Sequence, residues 1–455
     1  MIVKLIIVIL YFDIIEQVLL LINLFKCEIY NAFGLNPEVR SNMQFSYSRM
    51  FNFGRRLFGL EPKRIGVGDV SPWVTYLVEF LRKRDDIELY VISSHSALAK
   101  SQYHFTGGNV DFHFVNVGYS TMLKYLLRSP SLWHRFNPLR RKVKRIVKQI
   151  QPDLIALIGA ENGFIADTVL DLFNYNVIIQ CQTIYNNPDR IKYDQIDNVN
   201  AWVERELFKC AKYVAISTKM HRDIFMNLEQ NAVILDWKAK TPLPDVPSLD
   251  RKEYDFVCFA VNMSEKKGYY DAVRALSVVC KQYPSTTLNL VGGGSIKVKN
   301  ELKQLAEQLN VAQNVIFTDF FEKQTDLFVH IQKSRFALLP CKLDHISGTM
   351  VQAMNYGLPL VCYRTEGTPS LNSDEECVLV AELGNVDELA SKMTELISQP
   401  EKASLLKHNA KERLKRKNNM PQAVERLVAT YKAIINKECN NVDIPQDLLF
   451  NPSAV

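Results

Sequence analysis

The stretch Cys341–Arg364, CKLDHISGTMVQAMNYGLPLVCYR, indicates a strand, loop, helix and strand unit. The apolar strand SRFALLP runs into it, and Ser347–Thr349 predicts the cap of a short helix over residues 350–356. Gly357 stands where a helix ends on a left-handed residue, and LVCYR follows as the next buried strand. Such a unit predicts a parallel sheet, whose ligands bind at the carboxyl edge of the strands. The N–H groups at the helix N-terminus suit an anion such as a diphosphate.

The composition bounds the class of protein. At 455 residues the chain exceeds one ordinary core, so two domains are expected, and 47% hydrophobic with 23% charged residues is typical of globular proteins. The net charge of +6 fits a phosphate-bearing ligand or an anionic membrane and does not require nucleic acid. The nine cysteines include no CxxC pair, so neither a disulfide framework nor a structural zinc site is expected. A protein with unpaired cysteines fits the reducing environment of the cytoplasm.

Residues 1–42 form a hydrophobic N-terminal extension in this interpretation. The run MIVKLIIVILYFDIIEQVLLLINLF is apolar enough to suggest a membrane segment, but Asp13 and Glu16 lie in its middle, where lipid disfavours charge. Three alternatives stay open: an interfacial anchor, a packed extra helix, or an extension that the fold does not need, with Met43 as the effective start.

Beyond Met43, strands and helices alternate in two successive series, one on each side of a linker. This pattern predicts an α/β fold made of two Rossmann-like, doubly wound domains. The first domain, residues 43–238, contains the strand candidates NMQFSYSRMF, IELYVISS, FHFVNV, DLIALIGA, NVIIQCQ and YVAIS, and one long basic helix, PSLWHRFNPLRRKVKRIVKQI. Residues 239–254 are rich in proline and charge and are expected to be a linker. The second domain is expected over residues 255–437, followed by a tail over 438–455.

Four stretches of the second domain carry a resemblance to a known family: FAVNMSEKKG, LNLVGGG, NVIFTDFF and SGTMVQAMNYGLPLV. Together they resemble the nucleotide-sugar domain of the family-4 type of retaining glycosyltransferase, within the glycosyl transferases group 1. The resemblance implies the GT-B arrangement, in which two Rossmann-like domains face each other across a cleft. It also implies that a sugar moves from a nucleotide-diphosphate sugar to an acceptor with retention, without a divalent metal or any cofactor besides the donor substrate.

The resemblance implies two catalytic residues, Lys267 and Asp344. Lys267 precedes Gly268 after a buried strand and matches the lysine that contacts the donor phosphates in the family. Asp344 matches an acidic residue near the hydroxyl groups of the donor sugar. The alternatives are a solvated loop lysine and a loop acid or helix cap. Asn262 stands where the family usually has an arginine, which removes one cation beside the leaving diphosphate.

The candidates for substrate binding come from the same motifs and from strand ends. Gln352 matches an acidic residue that takes both ribose hydroxyls in the family, and its amide keeps the shape without the charge; an exposed helix residue is the alternative. The last two glycines of LNLVGGG, Gly293 and Gly294, either let the backbone approach a nucleotide or merely end a strand. The complete set is Asn262, Gly293, Gly294, Ser347, Gly348, Thr349, Met350 and Gln352, with Glu161 as an acceptor-side candidate in the first domain.

The expected partners are a nucleotide sugar and a glycan or lipid-linked acceptor, with no nucleic acid. The basic residues of the long helix could dock on anionic lipid at the inner face of the membrane, or could simply form a solvated surface. The leading hypothesis is a cytoplasmic glycosyltransferase of surface polysaccharide or glycolipid assembly. Two alternatives remain: a catalytically weak, sugar-nucleotide-binding partner subunit, and a nucleotide-sugar epimerase on the same fold.

Overall fold

The computed structural model describes residues 3–9, 72–95, 101–117, 120, 127, 129–192, 196–228, 231–237, 243–321, 323–343 and 346–451. The chain forms two compact units. One comprises Met1–Asn187, Ile196–Ala239 and Pro421–Ala454, and the other comprises Pro188–Gln195 and Lys240–Met420. The strand expected at NMQFSYSRMF lies outside the described residues.

The first unit is built on an eight-stranded sheet with the order β3-β4-β2-β1-β5-β6-β7-β8. Its strands are β1 Val3–Ile9, β2 Ile87–His95, β3 Gln102–Gly107, β4 Val110–Asn116, β5 Leu154–Ile158, β6 Val177–Gln180, β7 Tyr213–Ile216 and β8 Val233–Asp236. Edge strand β3 pairs antiparallel with β4, and the other neighbouring strands pair in parallel. The helices before β8 are α1 Pro72–Leu81, α2 Pro130–Phe136, α3 Pro138–Ile150, α4 Gly163–Val169, α5 Asn198–Cys210 and α6 Lys219–Leu228.

Strand β1 corrects the expectation for residues 3–9, which are the part of the N-terminal extension that the structure describes. It lies inside the sheet between β2 and β5, so this part of the chain belongs to the fold and is neither an anchor nor a dispensable extension. Leu5 and Ile7 pack into the core on one face of the sheet, while Ile6 and Val8 pack into the core on the other face. A parallel strand that is buried on both faces reads as a continuous apolar run, which explains its likeness to a membrane segment.

The prediction of one long basic helix is also wrong, because the structure has two helices there. α2 ends at Phe136 and α3 begins at Pro138, whose ring cannot continue a helix but suits a first helical position. The side chain of Asn137, between them, accepts a hydrogen bond from the Leu139 N–H at 3.1 Å and caps α3.

The second unit contains a six-stranded parallel sheet with the order β11-β10-β9-β12-β13-β14. Its strands are β9 Tyr254–Asn262, β10 Leu288–Gly293, β11 Val315–Thr318, β12 Ser334–Leu339, β13 Leu360–Tyr363 and β14 Leu379–Ala381. Its helices are α7 Tyr269–Val279, α8 Ile296–Gln308, α9 Gln324–Ile331, α10 Gly348–Asn355, α11 Val386–Ser398 and α12 Pro400–Lys417. Separate apolar cores cover the two faces of this sheet, which confirms a doubly wound α/β fold.

The last helix, α13 Met420–Asn440, belongs to the first unit, although the sequence places it at the end of the second domain. Ile434 and Ile435 pack into the core of the first sheet, and the Tyr431 hydroxyl donates a hydrogen bond to the side-chain oxygen of Gln180 at 2.8 Å. The expected boundaries at residues 437 and 438 are therefore wrong. In the part of the chain that the structure describes, no helix is both long and apolar enough to cross a membrane.

Candidate functional site

The order of the strands in the second unit marks one place for a ligand. From β9 the chain continues to β10 and β11 on one side, whereas β12 lies on the other side of β9 and leads to β13 and β14. The direction of winding therefore reverses between β9 and β12. In open parallel sheets, ligands bind outside the carboxyl ends of the strands at such a switch point. The loops that follow β9 and β12 carry most of the residues that the sequence singles out.

The turn after β9 holds Lys267. Residues Glu265–Lys267 form one turn of 3₁₀ helix, and Gly268 ends it with a φ of 79°. A Cβ atom on Gly268 would lie 2.1 Å from the carbonyl oxygen of Pro340, so a side chain there cannot be accommodated. The Lys342 N–H also donates to the Lys266 carbonyl at 2.9 Å. The turn with Lys267 is thus fixed directly against the segment that follows β12.

A buried ion-pair network stabilises this junction. The ammonium of Lys342 lies 2.8 Å from a carboxylate oxygen of Asp271 and also contacts Glu265. Asp271 further accepts hydrogen bonds from the Tyr363 hydroxyl at 3.0 Å and from Arg274 at 2.8 Å. Burial opposes the charge on Lys342, but its hydrogen bonds to the carboxylates outweigh burial and raise the pKa of the ammonium. This network could not be predicted from the sequence, because Lys342 and Glu265 lie 77 residues apart.

The glycines after β10 lie beside the end of β9. Gly293 is the partner of Asn262 in the strand register, and the Met263 N–H donates to the Gly293 carbonyl at 2.7 Å. A Cβ atom on Gly293 would lie 3.0 Å from the Asn262 side-chain oxygen, so the two positions are in close approach. Gly294 is exposed just before Ser295, which caps α8 through a hydrogen bond to Val298. The structure therefore brings Asn262, Gly293 and Gly294 together at one sheet edge.

Helix α10 begins at Gly348, two residues before the predicted start, and Gly357 closes it with a φ of 74°. Ser347 is the N-cap residue, and its hydroxyl lies 2.8 Å from that of Thr349. The N–H groups of Gly348 and Thr349 belong to the first turn, where a helix supplies no acceptor. Met350 is fully buried, so only its backbone could meet a ligand. This N-terminus follows β12 in the chain, as the sequence predicts.

Gln352 is buried rather than exposed, with 8% of its surface accessible. Among the described residues its side-chain amide has no hydrogen-bond partner. Asp344 and His345 lie outside the described residues, and the catalytic prediction for Asp344 stays a prediction.

Glu161 belongs to the first unit. It lies in the loop between β5 and α4, and β5 neighbours β1, where the winding of the first sheet also reverses. Glu161 is therefore at the carboxyl edge of its own sheet, at the switch point where a ligand of that unit would bind.

The family comparison covers much of the second unit. Residues 245–413 match the family described as glycosyl transferases group 1. This segment is similar to that family, and the match does not extend over the first unit. The chain is therefore a glycosyltransferase, as the resemblance of its motifs implied, and the matched segment includes Lys267, Gly293 and the whole of α10.

Two relatives resemble this glycosyltransferase over different lengths. An uncharacterized glycosyltransferase of Haemophilus influenzae is 23% identical over 362 residues, which cover 76% of this chain and 94% of that protein. A GDP-mannose-dependent alpha-(1-6)-phosphatidylinositol monomannoside mannosyltransferase of Mycolicibacterium smegmatis is 26% identical over 185 residues, covering 38% of this chain and 47% of that protein.

Solved structures show the same fold. An E. coli trehalose-6-phosphate structure that holds UDP-2-fluoro glucose has a TM-score of 0.63 and 10% sequence identity, covering 94% of this chain and 99% of that one. The fold of this glycosyltransferase is therefore that of GT-B enzymes, as the sequence predicted.

Proposed function

We propose that this glycosyltransferase binds a nucleotide-diphosphate sugar at the switch point of its second unit and transfers the sugar with retention to a glycan or glycolipid. The observation that carries this proposal is that a lysine turn and a helix N-terminus follow two neighbouring strands of one parallel sheet. Lys267 lies on the turn after β9, α10 begins after β12, and hydrogen bonds tie the turn to the segment after β12.

The leaving diphosphate is the difficult group in this reaction, because negative charge grows on it as the sugar departs. A lysine ammonium and free backbone N–H groups aimed at that charge lower the barrier without a metal ion. In this proposal Lys267 and the first turn of α10 bind the diphosphate. The amide oxygen of Gln352 accepts hydrogen bonds from the ribose hydroxyls, and Asp344 positions the sugar. EDTA is accordingly expected to leave the transfer rate unchanged.

The acceptor is proposed to be a growing glycan or a lipid-linked sugar in surface polysaccharide assembly at the cytoplasmic face of the membrane. The mycobacterial relative supports the lipid-linked alternative, because it acts on a phosphatidylinositol monomannoside. The E. coli structure supports a sugar-nucleotide donor through its UDP-2-fluoro glucose. The proposed place for the acceptor is the carboxyl edge of the first sheet, near Glu161.

A second candidate function follows from Asn262. An asparagine can donate a hydrogen bond but cannot neutralise a developing charge, so it supports binding better than leaving-group departure. The alternative is therefore a partner subunit that binds a sugar nucleotide and catalyses transfer weakly.

One experiment separates the two candidates. The purified chain is incubated with UDP-, GDP-, ADP- and CMP-sugars, and thermal stabilisation and nucleotide release are measured with and without glycan or glycolipid acceptors. Release that depends on the acceptor, with the anomeric configuration retained in the product, supports the glycosyltransferase proposal. Stabilisation without release, whatever the acceptor, supports the partner subunit. If no sugar nucleotide stabilises the chain, both are wrong.

A further inference from the structure

Helix α3 presents a stripe of positive charge. Leu139, Val143, Ile146 and Val147 form its buried face. The exposed side carries Arg141, Lys144, Arg145 and Lys148, which recur at the spacing of one helical face. Helix α3 contains no acidic residue.

These four cations are not neutralised by the protein. Within the described part of the chain none of their side chains forms an ion pair or a hydrogen bond, whereas the neighbouring Arg140 pairs with Asp171. The basic end of α12 provides a contrast in the same molecule. There the ion pairs are Lys415 with Glu412, Arg416 with Glu375, and Lys417 with Asp374. A stripe that is left unpaired attracts an anionic partner more strongly than a paired one.

The short helix α2, next to this stripe, exposes two large apolar side chains one turn apart. Leu132 is 43% exposed and Phe136 is 51% exposed. The guanidinium of Arg135 lies 5.9 Å from the centre of the Phe136 ring, so cation and apolar group adjoin. Only Asn137 separates α2 from α3, so the apolar pair and the basic stripe follow each other closely along the chain.

The opposite side of α2 is held firmly, so the exposure is not a sign of loose packing. Trp133 is fully buried, and its indole N–H donates to the Ser120 carbonyl at 2.9 Å. His134 Nδ1 lies 2.5 Å from a carboxylate oxygen of Asp167, which is itself fully buried. The helix therefore presents Leu132 and Phe136 outward in a fixed orientation.

We propose that α2 and α3 form a docking surface for an anionic lipid bilayer. Cations attract phosphate and carboxylate headgroups, and adjacent apolar side chains gain by entering the acyl boundary. A nucleic acid or an acidic protein would satisfy the cations but would offer no apolar phase for Leu132 and Phe136. The inference rests on the proposed function in one respect, since a lipid-linked acceptor gives the contact its purpose.

The test measures binding of the full-length chain to sedimenting vesicles of phosphatidylcholine, with and without phosphatidylserine. The chain is expected to bind the anionic vesicles and to dissociate as salt is raised. Each basic residue at such a surface contributes roughly a fivefold factor in binding. The variant R141Q/K144Q/R145Q/K148Q is therefore expected to bind several hundred-fold more weakly, and L132S/F136S to lose binding that persists in high salt.

The matched control is K415Q/R416Q/K417Q, which removes paired cations from α12 and is expected to bind as the unchanged chain does. Circular dichroism establishes that each variant is folded, and nucleotide release in the presence of a water-soluble acceptor is measured in the same preparations. Loss of release in every sample would sink the proposed function and leave the vesicle result valid. The docking proposal is overturned if the unchanged chain ignores anionic vesicles, binds neutral ones equally, or binds as well without the four cations.

Discussion

At the scale of single residues, the ion pair between Lys342 and Asp271 is the feature that orders the proposed donor site. Both side chains are nearly inaccessible, with 7% and 5% exposure. Removal of one partner from a buried pair leaves the other charge without compensation. Lys342 therefore serves as a positioning residue for the turn that carries Lys267.

The first prediction concerns the stability of this pair. We expect Lys342→Met to lower the free energy of unfolding of the second unit by about 3–5 kcal/mol. The pKa of Lys342 is raised in the folded protein, so its contribution is complete below the ordinary value of 10.5 and is lost as the pH rises through the folded pKa. The measurement is urea denaturation of both chains from neutral to alkaline pH.

Lys333→Met is the control, because Lys333 pairs with Glu253 at the surface and is expected to contribute less than about 1 kcal/mol. Equal effects of the two substitutions would contradict the role given to Lys342.

His113 gives a second prediction at this scale. Burial, and then the positive charge of His104, lower the pKa of His113 to about 4, and the two rings stack with centroids 4.4 Å apart. In the unfolded chain His113 therefore binds a proton near pH 6.5, whereas in the folded chain it stays neutral until the pH is close to 4. The free energy of unfolding consequently decreases as the pH falls from 6.5 towards 4. The total is of the order of 3 kcal/mol.

We expect His113→Gln to remove most of this acid sensitivity in thermal denaturation over the same pH range. His408→Gln is the control, because His408 is exposed on α12. If the two variants lose stability in parallel, His113 does not account for the acid sensitivity.

Local motifs predicted the local structure around Lys267 and Ser347, whereas the roles of these residues stay predictions. Lys267 follows a buried strand and precedes Gly268, which both its positive φ and the close approach of Pro340 require to be a glycine. Ser347 is the N-cap of a helix, as its residue type suggests. The Lys342 network could not be predicted, because lone charges far apart in sequence carry no sign of their pairing. The burial of Gln352 is likewise set by tertiary packing.

At the scale of the elements, β1 is the most informative correction. Its side chains fill the cores on both faces of the first sheet, so a shortened side chain leaves a cavity in the middle of the unit. We expect Ile6→Ala to destabilise the first unit by about 2–5 kcal/mol in denaturant unfolding.

Lys4→Gln provides the comparison on the same strand, because the Lys4 side chain is 44% exposed and lies 3.8 Å from Glu88. That change is expected to stay within about 1 kcal/mol. A chain that tolerates Ile6→Ala as well as Lys4→Gln would show that β1 is peripheral to the fold.

The order of strands and helices was the part of the fold that the sequence predicted best. Alternating strands and helices predicted both parallel sheets, because a doubly wound sheet needs buried strands separated by amphipathic helices. β1 was misinterpreted because a strand buried on both faces lacks the alternation that distinguishes a strand from a lipid-facing segment. The break between α2 and α3 depends on Pro138, whose signal was outweighed by continuous basic periodicity.

At the scale of the whole molecule, the chain is a glycosyltransferase with two doubly wound units, and its end returns to the first unit through α13. Composition and alternation gave the number of units. They could not assign α13 to one of the two units, because the sequence of an amphipathic helix does not show which sheet it packs against. In the second unit, Lys267 is proposed to stabilise the leaving diphosphate.

The most direct test of that claim is sugar transfer by Lys267→Ala, measured as nucleotide release and product formation with the donor and acceptor that the unchanged chain uses. Lys281→Ala is the matched control, because Lys281 is an exposed lysine shortly after α7. We expect Lys267→Ala to lower the turnover about 10²–10³-fold, the typical effect of losing one group that stabilises transition-state charge, and Lys281→Ala to leave it unchanged. Equal turnover in the two variants would contradict the account.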